Sequence, residues 1–279
     1  MCRDEFRLSQ IKLQNADAKD FIRSPWMPNV LVTIYRGIFA GYCLGWIIAS
    51  GFHPANGNEK WFIYLTNWGF FLLTLYFICA TVVCILHHFS KIDSSTVIQM
   101  KSPQVDSANV ESAVADDQNA SQDTMDMCWY HKGLWLVFNI AANAAVLITL
   151  SYWSLVFNGV TSGLDVSTHA VNSVFILADL MLSAIPVRIL HTVYVWVFGL
   201  CYLLLTVIFW AVDGTNARDE PYIYSYIDYN RIPGLSSGII VSFIVVGQPL
   251  VQALLFGLYK LRNFLSLKCG KKPTASGSF

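Results

Sequence analysis

The chain has 279 residues, of which 55% are hydrophobic, 14% aromatic and only 13% charged. That balance excludes a soluble domain of this length and marks an all-helical polytopic membrane protein. The formal net charge is zero, so no bulk charge draws the chain to nucleic acid, and its charges inform only through where they fall.

Residues 1–28 are polar and mixed in charge, without the apolar run of a cleavable leader, and read as an N-terminal tail. The first predicted span, residues 29–50, holds Arg36 and the glycines Gly37, Gly41 and Gly45. Glycines four apart share one helical stripe and let another helix come close, from this chain, a second copy or another membrane protein. After the turn signal Asn56-Gly57-Asn58, a second span is predicted over residues 61–86. At about 1.5 Å per residue it is long enough for a bilayer core of roughly 30 Å. It opens Trp61-Phe62-Ile63-Tyr64-Leu65-Thr66-Asn67-Trp68-Gly69, with a Thr-Asn pair about one turn inside, and closes on His87, His88 and Lys91.

From residue 90 to 127 the composition turns to Ser, Asp, Gln and Asn with almost no aromatics, which predicts a disordered loop. The third span, residues 133–157, carries Asn139, Asn143 and Ser151 along one stripe. The fourth is placed at residues 169–187, where His169, Asn172, Asp179 and Ser183 fall on one helical face that cannot point at lipid. Arg188 and His191 bracket a short turn before the fifth span, residues 192–212. A loop follows with Tyr222, Tyr224, Tyr226 and Tyr229, suited to the membrane surface. The sixth span, residues 235–258, contains Gln248-Pro249 and Gln252, so a kink is expected near its middle, and residues 259–279 form a basic tail.

With both termini cytoplasmic, fourteen Lys and Arg residues fall inside, three outside (Lys60, Arg218 and Arg231), and Arg36 lies in the membrane. That asymmetry supports this orientation, in the plasma membrane or the endoplasmic reticulum. The sequon Asn119-Ala120-Ser121 would then never meet the lumen.

The second and fourth spans both enter from the outer side, which puts Thr66 and His169 within a turn or two of the same depth. A hydroxyl beside an imidazole makes a nucleophile and general base, because a threonine hydroxyl attacks poorly until a base takes its proton. The plainer alternative stays open: a membrane Thr bonds its own i−4 carbonyl, and a His at a helix mouth faces water. Arg36 and Asp179 are matched in depth and read as a structural ion pair, the alternative being that Asp179 tunes His169 through Asn172. Asn139, Asn143, Gln248 and Gln252 read as interhelical hydrogen-bond formers. The seven cysteines are scattered; Cys43, Cys79 and Cys201 read as packing thiols, and Cys2, Cys128 and Cys269 are placed where palmitoylation is available. No metal or cofactor is implied, since His87, His88 and His131 lack partners at ligand spacing.

The run from Lys60 to Gly69 resembles the rolling stone family of invertebrate multipass proteins, whose founding member is associated with myoblast fusion. The resemblance continues through Asn139, Tyr152-Trp153, His169-Ala170-Val171-Asn172-Ser173, Asp179, Pro186-Val187-Arg188-Ile189-Leu190-His191 and Tyr222-Ile223-Tyr224. More distantly, the six-span layout is similar to the androgen-induced family of transmembrane threonine hydrolases, which cleave fatty acid esters of hydroxy fatty acids. There a Thr after Tyr-Leu on the second span is the nucleophile and a His opening the fourth span assists. Thr66 follows Tyr64-Leu65 here, His169 stands at the corresponding place, and Asp179 occupies a position where that family tends to have Glu. The first resemblance implies a role in cell fusion or a related developmental process. The second implies hydrolysis of lipid esters, with membrane lipids as surroundings and substrate source. A transporter or channel is weaker, since no internal repeat or broken-helix pair appears.

Overall fold

The computed structural model describes residues 5–53, 58–100, 126–157 and 159–269. Among them every regular element is a helix and no strand is present. The α-helices are α1 (Asn29–Gly51), α2 (Leu65–Met100), α3 (Trp129–Ser151), α4 (Gly163–Val166), α5 (Asn172–Leu182), α6 (Thr192–Ala211), α7 (Pro233–Ser242) and α8 (Gln248–Cys269). Three π-helical turns extend or join them: Tyr152–Val156 after α3, Ser167–Val171 between α4 and α5, and Phe243–Gly247 between α7 and α8.

Among the described residues, five stretches are long and apolar enough to cross a membrane: Asn29–Gly51, Leu65–Phe89, Trp129–Val156, Ile189–Ala211 and Pro233–Cys269. The fourth expected span is not among them. In its place, α4, a π turn and α5 form a helical stretch that starts six residues before His169, because Ser162 and Asp165 close a capping box at its head. Asp165, His169, Asn172 and Asp179 lower its apolar character. It ends at Leu182, and residues 183–187, the last part of the expected span, are not helical.

Other boundaries shift for local reasons. Residues 58–63 form a 3-10 turn, so α2 begins at Leu65 and Thr66 is its second residue. Helix α2 then continues to Met100, past the expected end at Leu86, since no Gly or Pro interrupts residues 87–100. The expected disordered loop is therefore helical over residues 90–100, and its remainder at residues 101–125, with the sequon at Asn119, lies outside the described residues. Just before Gln248-Pro249 lies the π turn Phe243–Gly247, where the missing proline N–H disturbs the hydrogen-bond ladder.

The core is built where α1, α2 and α3 meet, on Leu73, Tyr76, Phe77, Trp135 and Phe138. Gly69 lets α2 press against α3: a Cβ there would stand 2.4 Å from the Ile148 side chain. The glycine stripe of α1 behaves differently, because nothing lies within 4 Å of a Cβ built at Gly41 or Gly45.

The bundle has two ends. At one, here the tail face, Phe21 is fully buried, Arg188 donates to the Lys12 and Asn15 carbonyls, and Arg262 donates to the carbonyls of Leu180, Ser183, Ala184 and Ile185. The N-terminal segment is thus packed against the helices. At the other, the loop face, Lys60 Nζ holds the tyrosine loop through Thr215 Oγ1 at 3.0 Å, the Asn216 carbonyl at 2.6 Å and Asp219 at 3.1 Å. The α4–α5 stretch runs between these ends: its head lies against Trp46 and Tyr42 near the loop face, and beyond its foot Ala184 N–H donates to the Arg23 carbonyl.

Candidate functional site

A cavity of about 610 Å³ opens beneath the tyrosine loop. Thr66 enters it from the first turn of α2 and His169 from the π turn between α4 and α5, and the two meet: Thr66 Oγ1 lies 3.3 Å from His169 Nε2. The Thr66 hydroxyl thus faces an imidazole.

The imidazole is held from three sides. Its Nδ1 lies 3.0 Å from the Asp165 carbonyl, which can only accept, so Nδ1 carries the proton and Nε2 presents its lone pair to Thr66. Thr168 Oγ1, 3.1 Å from Nδ1, gives its own proton to the Leu164 carbonyl. Tyr152 stacks on the ring, centroids 3.7 Å apart and planes 14° from parallel, while Trp153 Nε1 donates to the His169 carbonyl at 3.0 Å. A hydroxyl facing the free nitrogen of an oriented imidazole is the arrangement for removing the hydroxyl proton.

The tyrosine loop closes the outer side. Tyr224 accepts from Leu65 N–H at 3.1 Å and borders the Thr66 side chain and the Tyr202 hydroxyl. Tyr64 accepts from Ala217 N–H at 3.2 Å, and Tyr226 stacks on Tyr224. Burial pushes the Tyr224 and Tyr226 phenols above their ordinary range, so both stay protonated near neutrality and can donate.

Asp179 takes no part in this cavity. Its carboxylate accepts from Arg36 Nε at 2.8 Å, Arg36 Nη2 at 3.3 Å, Tyr35 at 2.8 Å and the Tyr76 hydroxyl, and both Arg36 and Asp179 are fully buried. Asn172 turns to α3, where its carbonyl oxygen accepts from Thr149 Oγ1 at 3.0 Å and its amide donates to the Ala145 carbonyl at 3.4 Å. The alternative in which Asp179 tunes His169 through Asn172 therefore fails: the two side chains bond sideways to different helices, and the Asp165 carbonyl does the orienting. Asn143 Nδ2 donates to Gln252 Oε1 at 2.6 Å, a bond between α3 and α8.

Sequence reasoning missed Asp165 and the role of Tyr152. With the helix begun at His169, the residue four before it fell in a loop and no i−4 carbonyl was in view. Tyr152 was visible only as half of a Tyr-Trp pair. Among the described residues, no three His, Cys, Asp or Glu side chains gather as a metal ion would need.

A family model described as Protein rolling stone matches residues 3–271. The chain is 28% identical over 255 residues, 88% of its own length and 84% of the relative's, to Protein rolling stone of Drosophila melanogaster. No solved structure matches.

Proposed function

The chain belongs to the rolling stone family, and from the geometry of its cavity we propose that it is a six-span membrane protein that hydrolyses lipid esters, with Thr66 as nucleophile and His169 as general base. The observation that carries this reading is the 3.3 Å approach of the Thr66 hydroxyl to His169 Nε2 while Nδ1 is committed to a carbonyl. As Thr66 Oγ1 forms its bond to the acyl carbon, its proton passes to Nε2. The ester's alcohol departs with that proton, leaving an acyl-threonine. Water then gives a proton to Nε2 and attacks the acyl carbon, and the threonine oxygen leaves with the proton as the acid is freed. Tyr224, protonated and beside Thr66, supplies a donor for charge developing on the carbonyl oxygen. The apolar side chains lining the cavity, among them Leu147, Ile148, Phe198 and Ile244, suit an acyl chain.

The topology of this reading counts the α4–α5 stretch as a crossing, with both termini cytoplasmic. Its twenty residues from Gly163 to Leu182 reach about 30 Å, and its polar face is covered by neighbouring helices. The membrane is the plasma membrane or the endoplasmic reticulum.

A second reading rests on family membership: action in myoblast or other cell fusion, with no chemistry required and a membrane-protein partner or second copy received along Gly37, Gly41 and Gly45. The two are separated by adding a panel of long-chain fatty acyl esters to detergent-purified protein and measuring released acid. The hydrolase reading expects release that Thr66→Ala and His169→Ala each abolish at unchanged yield of folded protein. Absence of release from folded wild type, with fusion unaffected by both substitutions, would leave the second reading standing.

A further inference from the structure

The cavity has a charged rim. Three of its lining residues carry a full charge: Asp165 at the head of α4, and Arg218 and Glu220 in the tyrosine loop. The turn that holds the last two is tightly built on Asn216, which is buried. Asn216 Oδ1 accepts from the N–H groups of Arg218 at 2.8 Å and Glu220 at 3.1 Å, its Nδ2 donates to Glu220 Oε2 at 2.8 Å, and its carbonyl accepts from Asp219 N–H at 3.0 Å. Asp219 turns the chain at φ 59°, in the left-handed region that Asp tolerates. The Ala217 N–H that meets the Tyr64 hydroxyl ties this turn to the chain two residues before Thr66. Arg218 and Glu220 are therefore mounted at the cavity mouth on a fixed turn.

The cations of the loop face are used differently. Lys60 pairs with Asp219 at 3.1 Å and Arg231 with Asp228 at 3.8 Å. The exposed Arg218 guanidinium has neither a hydrogen bond nor an ion pair among the described residues. The two carboxylates of the rim are ionised and held in place. Asp165 accepts from the Ser162 N–H and hydroxyl, and Glu220 accepts from Asn216 and from Tyr222, which together keep its carboxyl below the usual range.

The rim thus offers one unpaired positive charge beside two negative ones. A head with negative charge alone is drawn to Arg218 and repelled by both carboxylates, while a neutral head leaves the guanidinium unused. A head with a phosphate and a cationic nitrogen a few bonds apart meets both signs. Arg218 presents the donor fork that suits a phosphate, and Tyr222, bonded to Glu220, sets an aromatic ring beside that carboxylate, a combination that suits a quaternary ammonium.

We propose that the cavity mouth binds the phosphocholine head of a glycerophospholipid, with the phosphate on Arg218, the trimethylammonium between Glu220 and Tyr222, and an acyl chain in the apolar part of the cavity. Placing that chain's ester carbonyl at Thr66 rests on the hydrolase reading and names its substrate class; recognition of the head does not rest on it.

The test is equilibrium binding of radiolabelled palmitoyl lysophosphatidylcholine, palmitoyl lysophosphatidic acid and monopalmitoylglycerol, each at trace concentration in one detergent, to purified full-length Thr66→Ala protein, in which the proposed turnover is blocked. The phosphocholine lipid is expected to bind about tenfold tighter than monopalmitoylglycerol, the low end for a hydrogen bond to a charged group, and severalfold tighter than the lysophosphatidic acid. Arg218→Gln should remove the advantage over monopalmitoylglycerol. Glu220→Gln, which keeps an acceptor for Asn216, should remove the advantage over the lysophosphatidic acid. Equal affinity for the phosphocholine lipid and monopalmitoylglycerol would overturn the inference even where wild-type protein cleaves esters, and so would a preference that survives Arg218→Gln. Tighter binding of the lysophosphatidic acid than of the phosphocholine lipid would reveal a plain anion site and overturn it as well. The expected preference, in a protein whose wild type frees no acid from the same lipid, would support the head site and sink only the hydrolase reading.

Discussion

Asp179 accepts from Arg36, Tyr35 and Tyr76 with no exposure to solvent, and its role is to hold α5 against α1 and α2. Removing one partner of a buried pair strands the other charge, at a cost of about 3–5 kcal/mol. Arg36→Ala and Asp179→Ala should therefore lower thermal stability in detergent markedly, while molecules that remain folded keep the Thr66–His169 geometry. An unchanged melting temperature in both would contradict this. The residue pairings were legible in part. Matched depth, counted from the span ends, brought Thr66 towards His169 and Arg36 towards Asp179. The wiring between such pairs was not legible, because residues sharing a face need not reach one another. Asn172 and Asp179 are seven residues apart, about 10 Å along a helix, and each found a nearer partner on another helix. The orientation of His169 depends on the Asp165 carbonyl, a main-chain atom that no side-chain pattern reveals.

Three π turns, Tyr152–Val156, Ser167–Val171 and Phe243–Gly247, each supply side chains to the cavity wall. Widened turns of this kind gather at functional sites, where they re-aim side chains. Only the third had a sequence signal, Pro249, so the existence of the long helices was readable but the local widening that aims His169 and Tyr152 was not. Leu65 begins its helix inside a run where composition does not change, and at Gly163 the start is marked by the Ser162–Asp165 capping box rather than by the apolar residues that follow. Helix contact is decided by small residues, and the glycines differ. Gly69→Ala should destabilise the fold by about 1–3 kcal/mol, because its Cβ would meet Ile148. Gly41→Ala meets nothing within 4 Å and should be neutral or stabilise by up to about 1 kcal/mol in the monomer. A loss of stability in Gly41→Ala as large as in Gly69→Ala would instead place a second helix on that stripe. Thermal unfolding in detergent, compared above and below any dimer concentration, reads both.

Across the whole molecule, the two ends of the bundle carry different chemistry. The tail face is closed by Arg188 and Arg262 on main-chain carbonyls and by the packed N-terminal segment, and the loop face by Lys60 and the tyrosine loop. The excess of Lys and Arg on the tail side is what the proposed topology expects, and under that topology the cavity mouth faces the outer side. Native Asn119 should accordingly stay unglycosylated in microsomes, whereas a sequon engineered into the tyrosine loop is available to the lumen provided the added glycan is sterically tolerated. A glycan on Asn119 would turn the topology over. The central claim is that the cavity holds an activated hydroxyl, and the most direct measurement is covalent labelling of detergent-purified protein by a fluorophosphonate probe, compared with Thr66→Ala and His169→Ala. The account predicts labelling of the wild type, mapped to Thr66 and lost in both variants. An unlabelled wild type that is folded, or labelling that survives Thr66→Ala, would contradict it.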